Sequence, residues 1–261
     1  MKNLIAKLKR LYPYRQVIKD LTLKNFKAKY SGTTLGIFLA VIIPLALAAG
    51  LNFIFSVVFK MNIPDFYLFA LSAIMPWMFF STALSESTDS IVNNVPLLKQ
   101  VALPVEILPI SVILANFINF LVGFVVVLPL FFLPQLKVLK VLPFLIFPLT
   151  FQLIFLIGLG LLFSSLNIFF RDLHHLIPIS LMFWFWITPI FYSLKMVPKP
   201  FHWICLFNPL THYITLYRQI LFEGRIPSLF GFALAFLLAV VTFIIGYFIF
   251  TKKEFLVLKR I

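Results

Sequence analysis

From Leu35 to Phe59 about 25 residues, about 37 Å of α-helix, pass without one charged side chain. A run of that length is suited to hydrocarbon, where the backbone must satisfy its own hydrogen bonds, so the chain is constrained to cross a bilayer as helix. Further runs of this kind extend from Phe66 to about Ser85, Ile107 to Phe132, Val141 to Leu166, Leu176 to Leu194 and Ile226 to Phe250. The expected fold is therefore an all-α integral membrane protein with six transmembrane helices at about 35–59, 66–85, 107–132, 141–166, 176–194 and 226–250. Pro44 is expected to kink the first. Composition agrees: the 261 residues are 62% hydrophobic and 11% charged, with a mean hydropathy of +1.06, more apolar surface than one soluble core can hide.

The net charge of +14 invites a nucleic-acid reading, but the cations gather at the two ends, where they fit lipid headgroups better. Residues 1–30 carry Arg15, Lys24, Lys27 and Lys29 among other cations against the single acid Asp20, with Leu4, Ile5, Leu8, Leu11 and Tyr12 at helical spacing. This predicts a basic amphipathic segment lying in the interface, broken at Pro13 and resumed by Val17, Ile18, Leu21 and Phe26. Residues 31–261 form the six-span domain. An even number of crossings puts both ends on one side, and Lys252, Lys253, Lys259 and Arg260 join the N-terminal cations to make that side cytoplasmic. The first apolar run is too long for a signal-peptide core. Cys205 is alone, so no internal disulfide is expected.

Two interruptions stand out. In Ser85 to Pro109, the residues Asn93 to Gln100 read as one short amphipathic helix, with Pro96 suited to a first turn and Pro104 beyond its end. Between Lys195 and Arg225, the apolar pieces Phe201 to Phe207 and Tyr213 to Phe222 are too short to cross and are split by Asn208-Pro209, which predicts a re-entrant helix pair at about 198–222. Arg171-Asp172 is expected to form a local ion pair at the membrane surface.

The six spans contain no Asp, Glu, Lys, Arg or His; their polar residues include Asn116, Asn119, Gln152, Ser and Thr. Ion-coupled carriers use such groups, so their absence counts against self-powered transport. No phosphate-cradling Gly-x-x-x-x-Gly-Lys-Ser/Thr loop is present either, so no nucleotide is expected on this chain and transport work must be driven by a partner. Adjacent His174 and His175 would point in different directions on a helix, and they make no metal-ligand spacing with Glu86, Asp89, Glu106 or Asp172; no metal site and no enzyme constellation follow. Aromatic residues are 18% of the chain. Most suit an interfacial belt or lipid contact, while Trp77, Phe80, Trp184, Phe191 and Tyr192 are candidates to line a conduit on which sugar rings slide. Gly158-x-Gly160 and Ser164-Ser165 are expected to let helices pack closely.

Several segments together resemble the permease subunits of ABC-2 type polysaccharide exporters. Lys27-Ala28-Lys29-Tyr30 through Leu35-Gly36, with Pro44-Leu45, is similar to the family's approach to its first span, although Ile37-Phe38-Leu39 stands where a Trp is usual. Pro76-Trp77-Met78-Phe79-Phe80-Ser81, Asn94-Val95-Pro96-Leu97-Leu98-Lys99 and Leu103-Pro104-Val105-Glu106-Ile107-Leu108-Pro109 resemble its second signature. Phe169-Phe170-Arg171-Asp172, Thr188-Pro189-Ile190-Phe191-Tyr192, Asn208-Pro209-Leu210-Thr211 and Tyr217-Arg218 resemble its third. The resemblance implies a homodimer in the bacterial inner membrane, each copy bound by a cytoplasmic ABC ATPase subunit that carries ATP and Mg, with a lipid-linked glycan such as O-antigen, capsule or teichoic acid passing between the two copies. It also implies that Asn94, Val95, Pro96, Leu97, Leu98, Lys99 and Gln100 form a coupling helix against the ATPase. In that setting Arg15, Lys24, Lys27 and Lys29 are candidates to attract the substrate's pyrophosphate, with topology and anionic lipid as the alternative use of the same charge. Rival functions are an ABC-2 permease for another substrate, a partner-independent channel or scramblase, and a membrane enzyme acting on polyprenyl-linked sugars.

Overall fold

In hydrocarbon a helix is the open backbone that leaves no hydrogen bond unmade. A computed structural model describes residues 12–32, 36–60, 64–101 and 103–260, and these hold helices and turns and no strand. The residues before Tyr12, and with them the first half of the expected basic segment, lie outside the described residues. The chain runs α1 (Arg15–Ala28), α2 (Gly36–Val58), α3 (Phe66–Asp89), α4 (Val95–Gln100), α5 (Ile107–Phe132), α6 (Lys137–Asn167), α7 (Leu173–Ile187), α8 (His202–Phe207), α9 (Pro209–Leu221) and α10 (Leu229–Arg260).

Among the described residues α2, α3, α5, α6 and α10 are long and apolar enough to cross a membrane. The expected fifth span is different: α7 has 15 residues, about 22 Å, and stops at Ile187 instead of continuing to Leu194. The cause is local. Thr188 precedes Pro189, whose ring disfavours helical backbone on its neighbour, and Thr188 is extended at φ −81°, ψ 134°. The same rule shifts α10 from the expected Ile226 to Leu229, since Ile226 precedes Pro227 and the hydroxyl of Ser228 accepts from the Gly231 N–H in the first turn.

The helix α3 is the central column: 78% of its most apolar window is buried, against 11% for α2 and 17% for α10. It tolerates polar residues there because they are satisfied within the helix. Ser72, Ser87 and Thr88, all buried, turn their hydroxyls onto the carbonyls of Phe69, Leu84 and Leu84. Mid-helix, a polar link also crosses between helices: buried Gln152 of α6 donates to the Pro76 carbonyl at 2.8 Å. Lys29 on Glu86, Asn167 on Asp89, and Lys253 over the Phe169 ring at 4.9 Å place α1, α4, the 168–172 turn and residue 253 at one end of the bundle. The helices α8 and α9 lie at the other end, where the Tyr213 hydroxyl reaches the Ala235 carbonyl at 3.0 Å.

The expected close packing at Gly158-x-Gly160 takes a definite form. A Cβ on Gly246 would lie 1.9 Å from the Gly158 carbonyl oxygen, and one on Gly158 would lie 2.6 Å from the Phe243 Cα, so α6 and α10 meet backbone to backbone. Gly160 instead makes room for side chains of α5 and α3, where a Cβ would meet Ile113 Cδ1 at 2.5 Å and Ser87 Oγ at 2.9 Å. Gly246→Ala should therefore cost about 1–3 kcal/mol of overpacking and lower the thermal midpoint of the purified protein. Gly50→Ala, at a helical site with nothing within 4 Å, should leave the midpoint unchanged or raise it slightly, and the pair measured side by side checks the assignment.

Candidate functional site

At the end of the bundle that carries α4, the chain has to leave the membrane several times, and its polar residues collect there in two knots. The first is built on Asp89, the last residue of α3. Its carboxylate accepts from Asn167 Nδ2 at 3.0 Å and pairs with His174 Nδ1 at 2.7 Å. Asn167 closes α6 and is itself 2% exposed; it also donates to the Thr88 carbonyl at 3.2 Å. His174 sits in the first turn of α7. One carboxylate thus ties the ends of α3, α6 and α7. The neighbouring His175 ring lies edge-on to His174 at 4.8 Å, so the two imidazoles touch, contrary to the expectation that they diverge. Arg171 and Asp172 form no ion pair among the described residues; the Asp172 carbonyl instead accepts from the His175 and Leu176 N–H groups and starts α7.

Helix α4 follows the Asp89 knot by one turn. A 3-10 turn at Val92–Asn94 leads into it, Pro96 stands in its first turn where a missing N–H costs nothing, and extended Val101 ends it. Leu98 packs against the buried cluster of Ile91, Val105, Leu161, Tyr247 and Phe250 and so anchors the helix. Pro96, Lys99 and Gln100 face outward, Val95 and Leu97 are half-buried, and Asn94 donates to the Ser90 carbonyl at 2.8 Å. Between Val92 and Val95 on one side and the 168–172 turn on the other lies a concavity of about 400 Å³.

The second knot joins α1 to the bundle. Lys29 Nζ contacts the Glu86 carboxylate at 2.7 Å and the Asn116 Oδ1 at 3.0 Å, and Asn116 Nδ2 returns a bond to Glu86 at 2.7 Å. The Tyr30 hydroxyl donates to Asn119, and Asn25 to the Ser111 hydroxyl at 3.3 Å. Burial pushes the Tyr30 phenol above its ordinary 10.0, which keeps it a donor across the physiological range. Of the four cations expected to attract a pyrophosphate, Lys29 is thus held by Glu86, Arg15 lies over the Tyr12 ring, and Lys24 and Lys27 are exposed. A cavity of about 420 Å³ opens between the end of α1 and helices α2, α3 and α5.

The expected conduit aromatics come together, but inside one copy of the chain. Trp77 and Phe80 of α3 meet Phe185 and Trp184 of α7 at 5.5 and 5.3 Å, and Phe185 leads through Phe191 to Tyr192. Phe80 is 0% exposed and Trp77 6%, so these rings form a packed wall between α3 and α7. The opposite face of α7 presents Met182, Phe183 and Trp186 outward.

Behind the wall stand two residues that no local pattern marked as structural hubs. Asn208 caps α9 through the Leu210 N–H at 3.0 Å, accepts from Trp184 Nε1 at 2.9 Å and donates to the Thr188 hydroxyl at 2.9 Å. Arg218, 8% exposed, spends its guanidinium on the Pro189 and Ile190 carbonyls at 2.9 and 2.8 Å and lies 3.7 Å over the Phe69 ring. Together they hold the turn that ends α7. Among the described residues no group of three His, Cys, Asp or Glu is placed to hold a metal.

Comparison with known proteins bears on the whole of this arrangement. The chain is 29% identical to the O-antigen export system permease protein RfbA of Klebsiella pneumoniae, over 90% of this chain and 91% of that one. It is 30% identical to the protein of the same name from Myxococcus xanthus, over 86% and 87%. Against the polysialic acid transport protein KpsM of Escherichia coli the identity is 27% over 91% and 93%. The family model described as ABC-2 type transporter matches residues 16–222, from α1 past the end of α9 and through both polar knots, and the chain belongs to that family.

Proposed function

We propose that the chain is the membrane subunit of an ATP-driven exporter that moves a polysaccharide, O-antigen in the first instance, as a polyprenyl pyrophosphate-linked glycan. The observation that carries this reading is end-to-end likeness: proteins named for O-antigen export and polysialic acid transport align over about nine-tenths of both chains. In this reading two copies pair in the bacterial inner membrane, and each is bound by a cytoplasmic ABC ATPase subunit that holds ATP and Mg. The chain is then a transport subunit and not an enzyme. Both termini and α4 face the cytoplasm, α7 with residues 188–194 completes a sixth crossing, and α8 with α9 forms a re-entrant cap on the outer side.

The geometry supports a force path for such a machine. An ATPase pressing on the outward face of α4, between Asn94 and Gln100, would move the end of α3, and Asp89 would pass the displacement to His174 and hence to α7. Helix α7 carries Trp184 and Phe185, packed with Phe80 and Trp77 of α3 and followed beyond its end by Phe191 and Tyr192, and on its outward face it presents Phe183 and Trp186. Aromatic surface suits a sliding glycan because it grips the apolar faces of sugar rings without fixing any one of them. The basic face of α1, with Arg15, Lys24 and Lys27, would meet the pyrophosphate at the cytoplasmic interface.

Leu97→Asp and Lys99→Glu should lower co-purification of the ATPase by about tenfold, about 1.4 kcal/mol, without unfolding the permease, because Leu98 and not these residues anchors α4. Unchanged association would remove α4 as the docking element. Asp89→Ala and His174→Ala should each leave the complex assembled, since a pair in which His174 is 59% exposed contributes under about 1 kcal/mol to stability. Both should lower the glycan moved per ATP hydrolysed, and the double variant should be no worse than either single, the signature of one shared link. Additive losses, or intact coupling, would place the force path elsewhere.

A further inference from the structure

The cavity between α1, α2, α3 and α5 is used by neither α4 nor the aromatic wall, and its lining is graded. On α3, Met75, Met78, Phe79, Thr82 and Glu86 recur at helical spacing, so one face of the helix forms a floor about 16 Å long. Ile43 and Pro44 of α2 and Phe120 of α5 close the apolar end, and Tyr30, Asn116 and Asn119 stand at the polar end. That polar end lies level with the last turn of α3, and the apolar end runs toward the middle of the helix. This is the gradient of one lipid molecule standing in one leaflet. A second, open concavity of about 530 Å³, lined by Lys24, Phe26 and Lys27, begins where the first stops, because Tyr30 lines both. With Lys29 neutralised by Glu86, Lys24 and Lys27 supply the exposed positive charge beside the mouth.

We infer that this groove holds the isoprenoid tail of the lipid-linked substrate, with the pyrophosphate at its mouth against Lys24 and Lys27. The inference rests on the proposed export of a polyprenyl pyrophosphate-linked glycan and gives that substrate a place on the permease. Two features favour a prenyl pyrophosphate over a membrane phospholipid. Met75 and Met78 are flexible thioethers that adapt to a methyl-branched chain. Two neighbouring lysines gain more from a pyrophosphate than from the single charge of a phosphodiester. The knot of Lys29, Glu86 and Asn116 then separates the tail from the headgroup, so the tail stays in its leaflet while the glycan projects beyond the bundle.

The test uses the full-length permease with its ATPase in nanodiscs of zwitterionic phospholipid, and farnesyl pyrophosphate carrying a diazirine in its terminal isoprene unit and no sugar. Irradiation should label peptides containing Met75, Met78 or Ile43. Thr82→Trp fills the groove from an exposed position on α3 and should cut labelling about tenfold, as should Lys24→Glu combined with Lys27→Glu, whereas Thr82→Ser should label as the parent does. Ile43→Trp, on a different helix, should repeat the loss and guards against a folding defect in the first variant. Label confined to the outward faces of α7 or α10, or label indifferent to Thr82→Trp and Ile43→Trp, overturns the inference. So does loss of labelling when phosphatidylglycerol replaces the zwitterionic lipid, which would mark a phospholipid site. Groove labelling in a complex that moves no glycan would uphold the groove as a lipid pyrophosphate site and remove the export reading.

Discussion

Inside hydrocarbon the backbone polar groups have to find their partners within the protein and polar side chains gain by doing the same, and the arrangement of this chain follows from where that is possible. Along α3 the solution is internal, with Ser72, Ser87 and Thr88 bonded to their own helix and the Pro76 carbonyl, in a stretch where proline has removed an N–H, taken by Gln152 of α6. Because α3 meets most of its polar demand within the protein, it can be buried over most of its surface and serve as the column on which the other helices pack. Where side chains cannot be satisfied locally, near the helix ends, they reach to other helices instead. Both polar knots lie there.

The opposite end applies the same rule with a harder case. Arg218 is a buried guanidinium held by the Pro189, Ile190 and Tyr192 carbonyls and by the face of Phe69. Those carbonyls are free for it because Pro189 stops α7 and leaves the chain extended, so the helix break and the buried cation satisfy one another. Asn208 completes the arrangement by capping α9 while gripping Trp184 and Thr188. The short α7 is thereby closed at both ends by side chains from elsewhere in the chain, at Asp89 and at Asn208.

The long apolar runs were legible in the sequence, since length and freedom from charge are properties of a segment alone; the bounds of α2 and α5 differ from expectation by at most one residue. The turn at Thr188-Pro189 lies inside a continuous hydrophobic run that by itself looks long enough to continue as helix, and in the structure the single proline overrides that run and ends α7. The short helix after α3 and the pair around Asn208-Pro209 were visible as interruptions. The knots were not. Asp89 and His174 lie 85 positions apart, and Lys29 and Glu86 lie 57 apart, so their meeting depends on how helices cross and on nothing local. The aromatics expected to line a conduit are marked by residue type alone; whether a ring faces a conduit or its own core is a property of packing, and Phe80 faces its own core.

Glu86 and Asp89 stand three residues apart on the last turn of α3, near neighbours on the helix surface. Through Glu86 that turn holds α1 and α5 and shapes the mouth of the lipid-sized groove; through Asp89 it holds α6 and α7 and so reaches the aromatic wall. The chain then turns directly into α4. A rigid helix end gripped on two sides cannot shift toward one without loading the other, because packed interiors redistribute strain and do not absorb it. Any displacement delivered at α4 therefore arrives at both places together. In the proposed exporter, which would release a lipid anchor and advance a polymer in step, the spacing of two carboxylates on one helical turn would link those two events.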